Sequence, residues 1–188
     1  MQAASGEGVS TLQSIFPVDQ AVRAEAPPAA IYSFVPAGGA AGDRNQSLEA
    51  VRQLSEAMGD YLAAEGDVRS VLLAGFSGTS MVSRSWITCL DLSGANPREA
   101  REALGISEAV FVVSATDPAS IEDARAQAAW MLPALRSHRK ENACGLLLVP
   151  VSGGVTSDTA EKRTGLPVCG VLRTPQHIAE LARRIVED

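Results

Sequence analysis

The residues of this chain best arranged for chemistry lie in Ile31–Leu54, IYSFVPAGGAAGDRNQSLEAVRQL. An apolar, β-prone run (Ile31–Val35) enters a loop of small residues (Ala37–Gly42), and an amphipathic helical pattern leaves it. A strand, a glycine loop and a helix make the layout that cradles phosphates, because backbone N–H groups and the helix dipole both favour an anion there. The loop has the shape of such a site but lacks its charges. Gly38, Gly39 and Gly42 therefore have two readings. One is weak anion or nucleotide binding through the backbone; the other, preferred, is a tight turn that lets a helix pack on a sheet.

No other group of residues forms a catalytic set. Ser77–Ser80 form a loop without the G-x-S-x-G elbow of a hydrolase, and His138 and His177 are isolated in polar surroundings. Cys89, Cys144 and Cys169 are far apart in or beside apolar runs, which reads as reduced structural thiols in a cytoplasmic protein, with no metal site. Arg98 and Arg101 beside Glu99 and Glu102 make an ordinary solvated helix face. Trp130 lies off the inward face of its helix, where an indole serves as a half-covered ring or as an interface anchor.

The elements that must position these residues follow from composition and pattern. At 188 residues the chain is long enough for one domain with a proper core. A net charge of -6 without any Lys/Arg run excludes a nucleic-acid-binding surface. No apolar stretch reaches the roughly 18 residues a membrane span needs. Met1–Ala30 is rich in Ala, Gly, Ser and Pro and reads as a flexible or extended leader. Its apolar cluster of Leu12, Ile15, Phe16 and Val18 reads as a short segment lying on the domain surface or as a docking peptide, which makes Phe16 a candidate partner contact.

Residues 31–188 then form a single α/β domain. Apolar residues at 3–4 spacing predict a helix over Gln46–Ala64, capped by Asn45 or Ser47 and ended by Gly66. Val71–Phe76 reads as a parallel strand buried on both faces, and Trp86–Leu92 as the next strand. A helix at Pro97–Leu104 and a strand at Ala109–Val113 follow. A long helix from about Ser120 to Ser137 contains Pro133, a residue that kinks helices. Strands at Gly145–Val151 and Val168–Leu172 flank a short helix at Thr156–Arg163, and Pro175–Val186 closes the chain as a helix. The expected fold is a three-layer, doubly wound, mainly parallel sheet of about six strands with helices on both faces.

In this order the segments resemble the SIMIBI class of P-loop proteins, most of all the MinD/ParA group with the deviant Walker A motif and its relatives in cellulose synthesis and pilus assembly. The likeness runs from Ile31 to Asp188 and is best in Val71–Ser80, Ile106–Ala128 and Ala160–Leu172. That family's loop reads K-G-G-x-G-K-[ST], with lysines on phosphates and a hydroxyl on Mg²⁺. Here Ala37 stands at the first lysine, Gly42 or Asp43 at the second, and Asp43 or Arg44 at the hydroxyl. The family's D-x-D corresponds to Gly75–Phe76–Ser77, without either acid, while Asp91 matches the Walker B acid. Only Ser77–Ser85 separates the second and third strands, where the family has a much longer segment.

Losing both lysines, the hydroxyl and both acids removes phosphate neutralisation, the metal shell and water positioning together. The resemblance thus implies a non-catalytic scaffold or regulatory protein that needs no cofactor. It would act through a protein partner, as homo- or heterodimer, in a membrane-associated polysaccharide, pilus or secretion machine. It would remain cytoplasmic without inserting into the membrane, and be recruited to such a machine by its partner. The alternative is a nucleotide-binding switch in which Gly38, Gly39, Gly42 and Arg44 hold the phosphates of ATP and Asp91 assists Mg²⁺. Asp91 without a second acid reads otherwise as a helix cap or as a partner of Ser77 or Thr79.

Overall fold

The computed structural model describes residues 30–38, 41–67, 69–75, 86–138 and 143–187. The sequence expectations that concern the leader with Phe16, Gly39 and the loop Ser77–Ser85 lie outside them. Along the chain run β1 (Ala30–Ala37), α1 (Ala41–Ala64), β2 (Ser70–Gly75), β3 (Trp86–Asp91), α2 (Pro97–Ile106), β4 (Ala109–Ala115), α3 (Pro118–Ser137), β5 (Cys144–Val149), α4 (Ser157–Thr164), β6 (Val168–Val171) and α5 (Pro175–Glu187).

The strands form one six-stranded sheet in the order β2-β3-β1-β4-β5-β6, and every neighbouring pair is parallel. Helices α1 and α5 pack on one face; α2, α3 and α4 pack on the other. Central position explains why β1 (AIYSFVPA) is buried at every residue. Its Phe34 stacks on Phe111 of β4 with centroids 5.6 Å apart. Most polar atoms carried into this core are satisfied, the buried hydroxyls of Thr88 and Ser120 being exceptions. Tyr32 donates its hydroxyl to the Ile185 carbonyl at 2.9 Å, and the Ser33 and Ser107 hydroxyls meet at 2.7 Å. The helices are held by apolar stripes at the expected spacing: Val51, Leu54, Met58 and Leu62 on α1; Ile121, Ala124, Ala128, Met131 and Leu135 on α3; Ile178, Leu181 and Ile185 on α5. Each large side chain in these stripes contributes about 1.5–3 kcal/mol of burial.

Several expectations need correction. Helix α1 begins at Ala41 rather than Gln46, so Asn45 and Ser47 do not cap it and Gly42 lies in its first turn, outside the loop. Ser47 is instead buried in the second turn and donates its hydroxyl to the Ala37 carbonyl at 2.9 Å, pinning the helix to the end of β1. Gly66 does end the helix, in the left-handed region at φ 69°. Strand β2 is not buried on both faces: it is the sheet edge, and Leu73 is exposed. One side of β2 is covered by α1, where Gly59 meets Val71, and no described helix packs on the other side. Helix α3 starts at Pro118 with Asp117 as its cap, two residues earlier than its apolar pattern shows, and runs on through Pro133. No described helix is long and apolar enough to cross a membrane.

Candidate functional site

In a parallel sheet wound in both directions, ligands gather at the carboxyl ends of the strands where the winding reverses. That point is β1, which lies between β3 and β4. Its carboxyl end delivers Gly38; the adjacent end of β3 delivers Asp91.

The loop between β1 and α1 has only the three positions 38 to 40, since the strand ends at Ala37 and the helix starts at Ala41. The backbone N–H of Gly38 donates to Oδ2 of Asp123 at 2.9 Å. Asp123 is half-buried on α3, in the second turn of a helix fixed by two backbone N–H groups donating to Asp117 Oδ1 and by Pro118 in its first turn. An N–H that a phosphate oxygen would use is thus held by a carboxylate of the same chain.

Asp91 is also engaged. Its Oδ1 accepts from the Ser93 N–H at 2.8 Å and its Oδ2 from the Ser93 hydroxyl at 2.9 Å. It caps no helix, because α2 is capped by Asn96 in a reciprocal box with Glu99. The other suggested partners, Ser77 and Thr79, lie outside the described residues.

Arg44 is exposed on the second turn of α1 and lines a cavity of about 360 Å³ together with Arg101 of α2 and Trp130 of α3. Asp91 faces a different cavity, of about 400 Å³, with Leu73, Leu48 and Arg52. Arg44 thus lines the same cavity as Trp130, and Asp91 lines another. Trp130 is 37% exposed, in keeping with a position off the inward face, and its indole N–H donates to Gln127 Oε1 at 2.8 Å.

Among the described residues no thiol is activated for covalent chemistry. Burial pushes the Cys89 and Cys144 thiols up to about 12, and burial raises Cys169 as well, so all three stay protonated near neutrality. His177 shares a hydrogen bond with Thr174 at 2.9 Å, and His138 sits exposed at the end of α3. Sequence reasoning missed Asp123 and Ser93. A Ser two residues after Asp91 is a recognisable turn signal; an aspartate 85 residues from its partner leaves none.

No protein-family model matches the chain, and no curated protein does. Solved structures do. The MinD cell division protein of Aquifex aeolicus superposes with a TM-score of 0.56 at 13% identity, covering 85% of this chain and 98% of that one. MinD in the MinC:MinD complex of the same organism gives 0.56 at 10% identity, covering 85% and 96%. A ParA family ATPase from Chlorobium tepidum TLS gives 0.52 at 12% identity, covering 86% and 93%. At these identities the likeness is one of architecture, and the chain has the six-stranded parallel α/β fold shared with the MinD and ParA ATPases.

Proposed function

We propose that this chain is a non-catalytic protein of MinD/ParA fold, a pseudo-ATPase with a degenerate Walker A loop that works as a scaffold or regulator through protein contacts. The observation that carries this reading is the Gly38 N–H held by the Asp123 carboxylate at 2.9 Å. A phosphate oxygen arriving there would have to displace an internal anion, and would meet like charge in doing so. The described surroundings add no compensation. Asp91 has both oxygens engaged by Ser93, and Arg44, the cation that would have to rebuild the loop, opens on the other cavity. Support for a protein partner comes from the similar fold of MinD in a complex with MinC. We further propose that residues 31–188 act as one unit behind the leader, in a cytoplasmic protein recruited to a membrane-associated polysaccharide, pilus or secretion machine.

Calorimetric titration of the full chain with ATP, ADP and GTP, with and without Mg²⁺, tests the reading. A flat response into the millimolar range is expected. Micromolar, Mg²⁺-dependent binding would overturn it in favour of a nucleotide switch, and loss of that binding in Arg44→Ala would then show that Arg44 has rebuilt the phosphate site.

A further inference from the structure

Arg44, Arg101 and Trp130 share one cavity. Its walls are apolar: Val35 and Pro36 from β1, Leu92 just past β3, and Ala100 from α2. At about 360 Å³ it falls within the range of small-molecule sites, roughly 300–1,000 Å³. Three helices contribute large polar-ended side chains to it: Arg44 from α1, Arg101 from α2, and Gln127 and Trp130 from α3. Among the described residues the charged groups of its lining are both arginines, in a chain whose net charge is -6. Neither makes an ion pair with a described carboxylate, whereas Arg52, Arg69, Arg98, Arg125 and Arg183 all do.

The indole completes the arrangement. Trp130 is tethered through its N–H to Gln127 at 2.8 Å, which fixes the ring and leaves its faces for an apolar contact. Asp123, Gln127 and Trp130 fall at i, i+4 and i+7 on α3, one face of the helix. The carboxylate that closes the glycine loop and the indole that lines the cavity are therefore two turns apart on one stripe.

We propose that this cavity binds a small carboxylate with a flat apolar body, such as an aromatic acid. The ring system would lie against Trp130 and the Val35, Pro36 and Leu92 wall, and Arg44 and Arg101 would take the carboxylate. A guanidinium matches a carboxylate in geometry as well as charge, and an aromatic body gains both area and stacking on an indole. A nucleoside triphosphate fits this cavity poorly, since the walls offer little but Ser93 and Gln127 to hydrogen-bond a sugar or base. The inference does not rest on the scaffold reading: a chain that ignores nucleotides and one that binds them at the loop can both hold this ligand.

The experiment is a titration of the full chain with 2-naphthoate, followed by calorimetry and by the Trp130 indole N–H resonance. Two probes separate the contributions: 2-naphthalenemethanol keeps the rings without the charge, and acetate keeps the charge without the rings. Saturable one-to-one binding of 2-naphthoate that shifts the Trp130 resonance is expected, with both controls weaker by roughly tenfold or more. Arg44→Ala with Arg101→Ala should weaken binding by about tenfold or more, and Trp130→Ala similarly. Arg98→Ala, on the same helix but engaged with Glu102, should leave it unchanged. Because Arg44 and Arg101 are exposed, their loss spares the core. Binding that is absent, unsaturable or undiminished in the double variant would overturn the proposal.

Discussion

Gly38 and Asp123, separated by 85 residues, are joined by a 2.9 Å hydrogen bond from a loop N–H to a helix carboxylate. The bond ties the end of the central strand to α3 and sets a negative charge at the glycine loop. Asp123→Ala should cost about 1.5 kcal/mol, the low end for a hydrogen bond to a charged group because Asp123 is only half-buried, read from denaturant unfolding. Asp123→Asn keeps an oxygen acceptor and should lose less. Both substitutions remove the charge, so inorganic phosphate should raise the Tm of each variant more than that of the parent. Equal responses to phosphate would show that the carboxylate does not guard the loop.

Helix α2 offers an independent check on how local sequence stabilises the fold. The Asn96 side chain accepts from the N–H groups of Arg98 and Glu99 at 3.0 Å each, while Glu99 Oε2 accepts from the Asn96 N–H at 2.9 Å. Asn96→Ala should destabilise by about 1 kcal/mol, and Asn96→Gly by only a few tenths. If the two substitutions cost the same in thermal unfolding, the loss is that of the Asn96 side-chain hydrogen bonds, and the backbone freedom of glycine offsets none of it.

Most of this architecture was legible because its signals are local. The 3–4 spacing of Val51, Leu54, Met58 and Leu62 marks α1, and Pro97 after Asn96 marks the start of α2. The start of α1 was not legible. Gly42 and Asp43 are weak helix formers, and what holds the first turn in place is tertiary: Ser47 bonding back to Ala37. The exposure of β2 was hidden for the same reason, since VLLAGF reads alike in a central strand and in an edge strand covered on one side. At the candidate site, Gly38 and Arg44 could be picked out by type, but the residues they meet could not. Asp123 and Trp130 reach the loop and the cavity only because α3 folds back over β1.

The β5–β6 pairing depends on a missing side chain. A Cβ at Gly145 would overlap the Sγ of Cys169 and come within 3.3 Å of its Cβ. Gly145→Ala should therefore destabilise by about 1–3 kcal/mol through overpacking. Adding Cys169→Ala removes the obstructing sulfur and should restore part of the loss, so the double-mutant cycle should give a coupling of about 0.5 kcal/mol or more. Additive effects would mean that the strain arises from backbone shifts rather than from this contact.

The buried thiols make stability fall in alkali. Burial holds both Cys89 and Cys144 at about 12 in the folded protein, against 9.0 for an ordinary thiol. Below the unfolded value both states keep their protons, and the contribution is fully present. As pH rises above 9.0, the unfolded chain releases protons that the folded chain retains, which favours unfolding until the folded thiols themselves ionise near 12. Denaturant midpoints should therefore drop between pH 9.0 and about pH 12, and less steeply in Cys89→Ala, which has one such thiol fewer. The same burial predicts that a thiol reagent near neutrality modifies half-buried Cys169 first and reaches Cys89 and Cys144 only when the protein unfolds. A Cys89→Ala profile parallel to that of the parent would show that other groups, and not the core thiols, govern the alkaline limb.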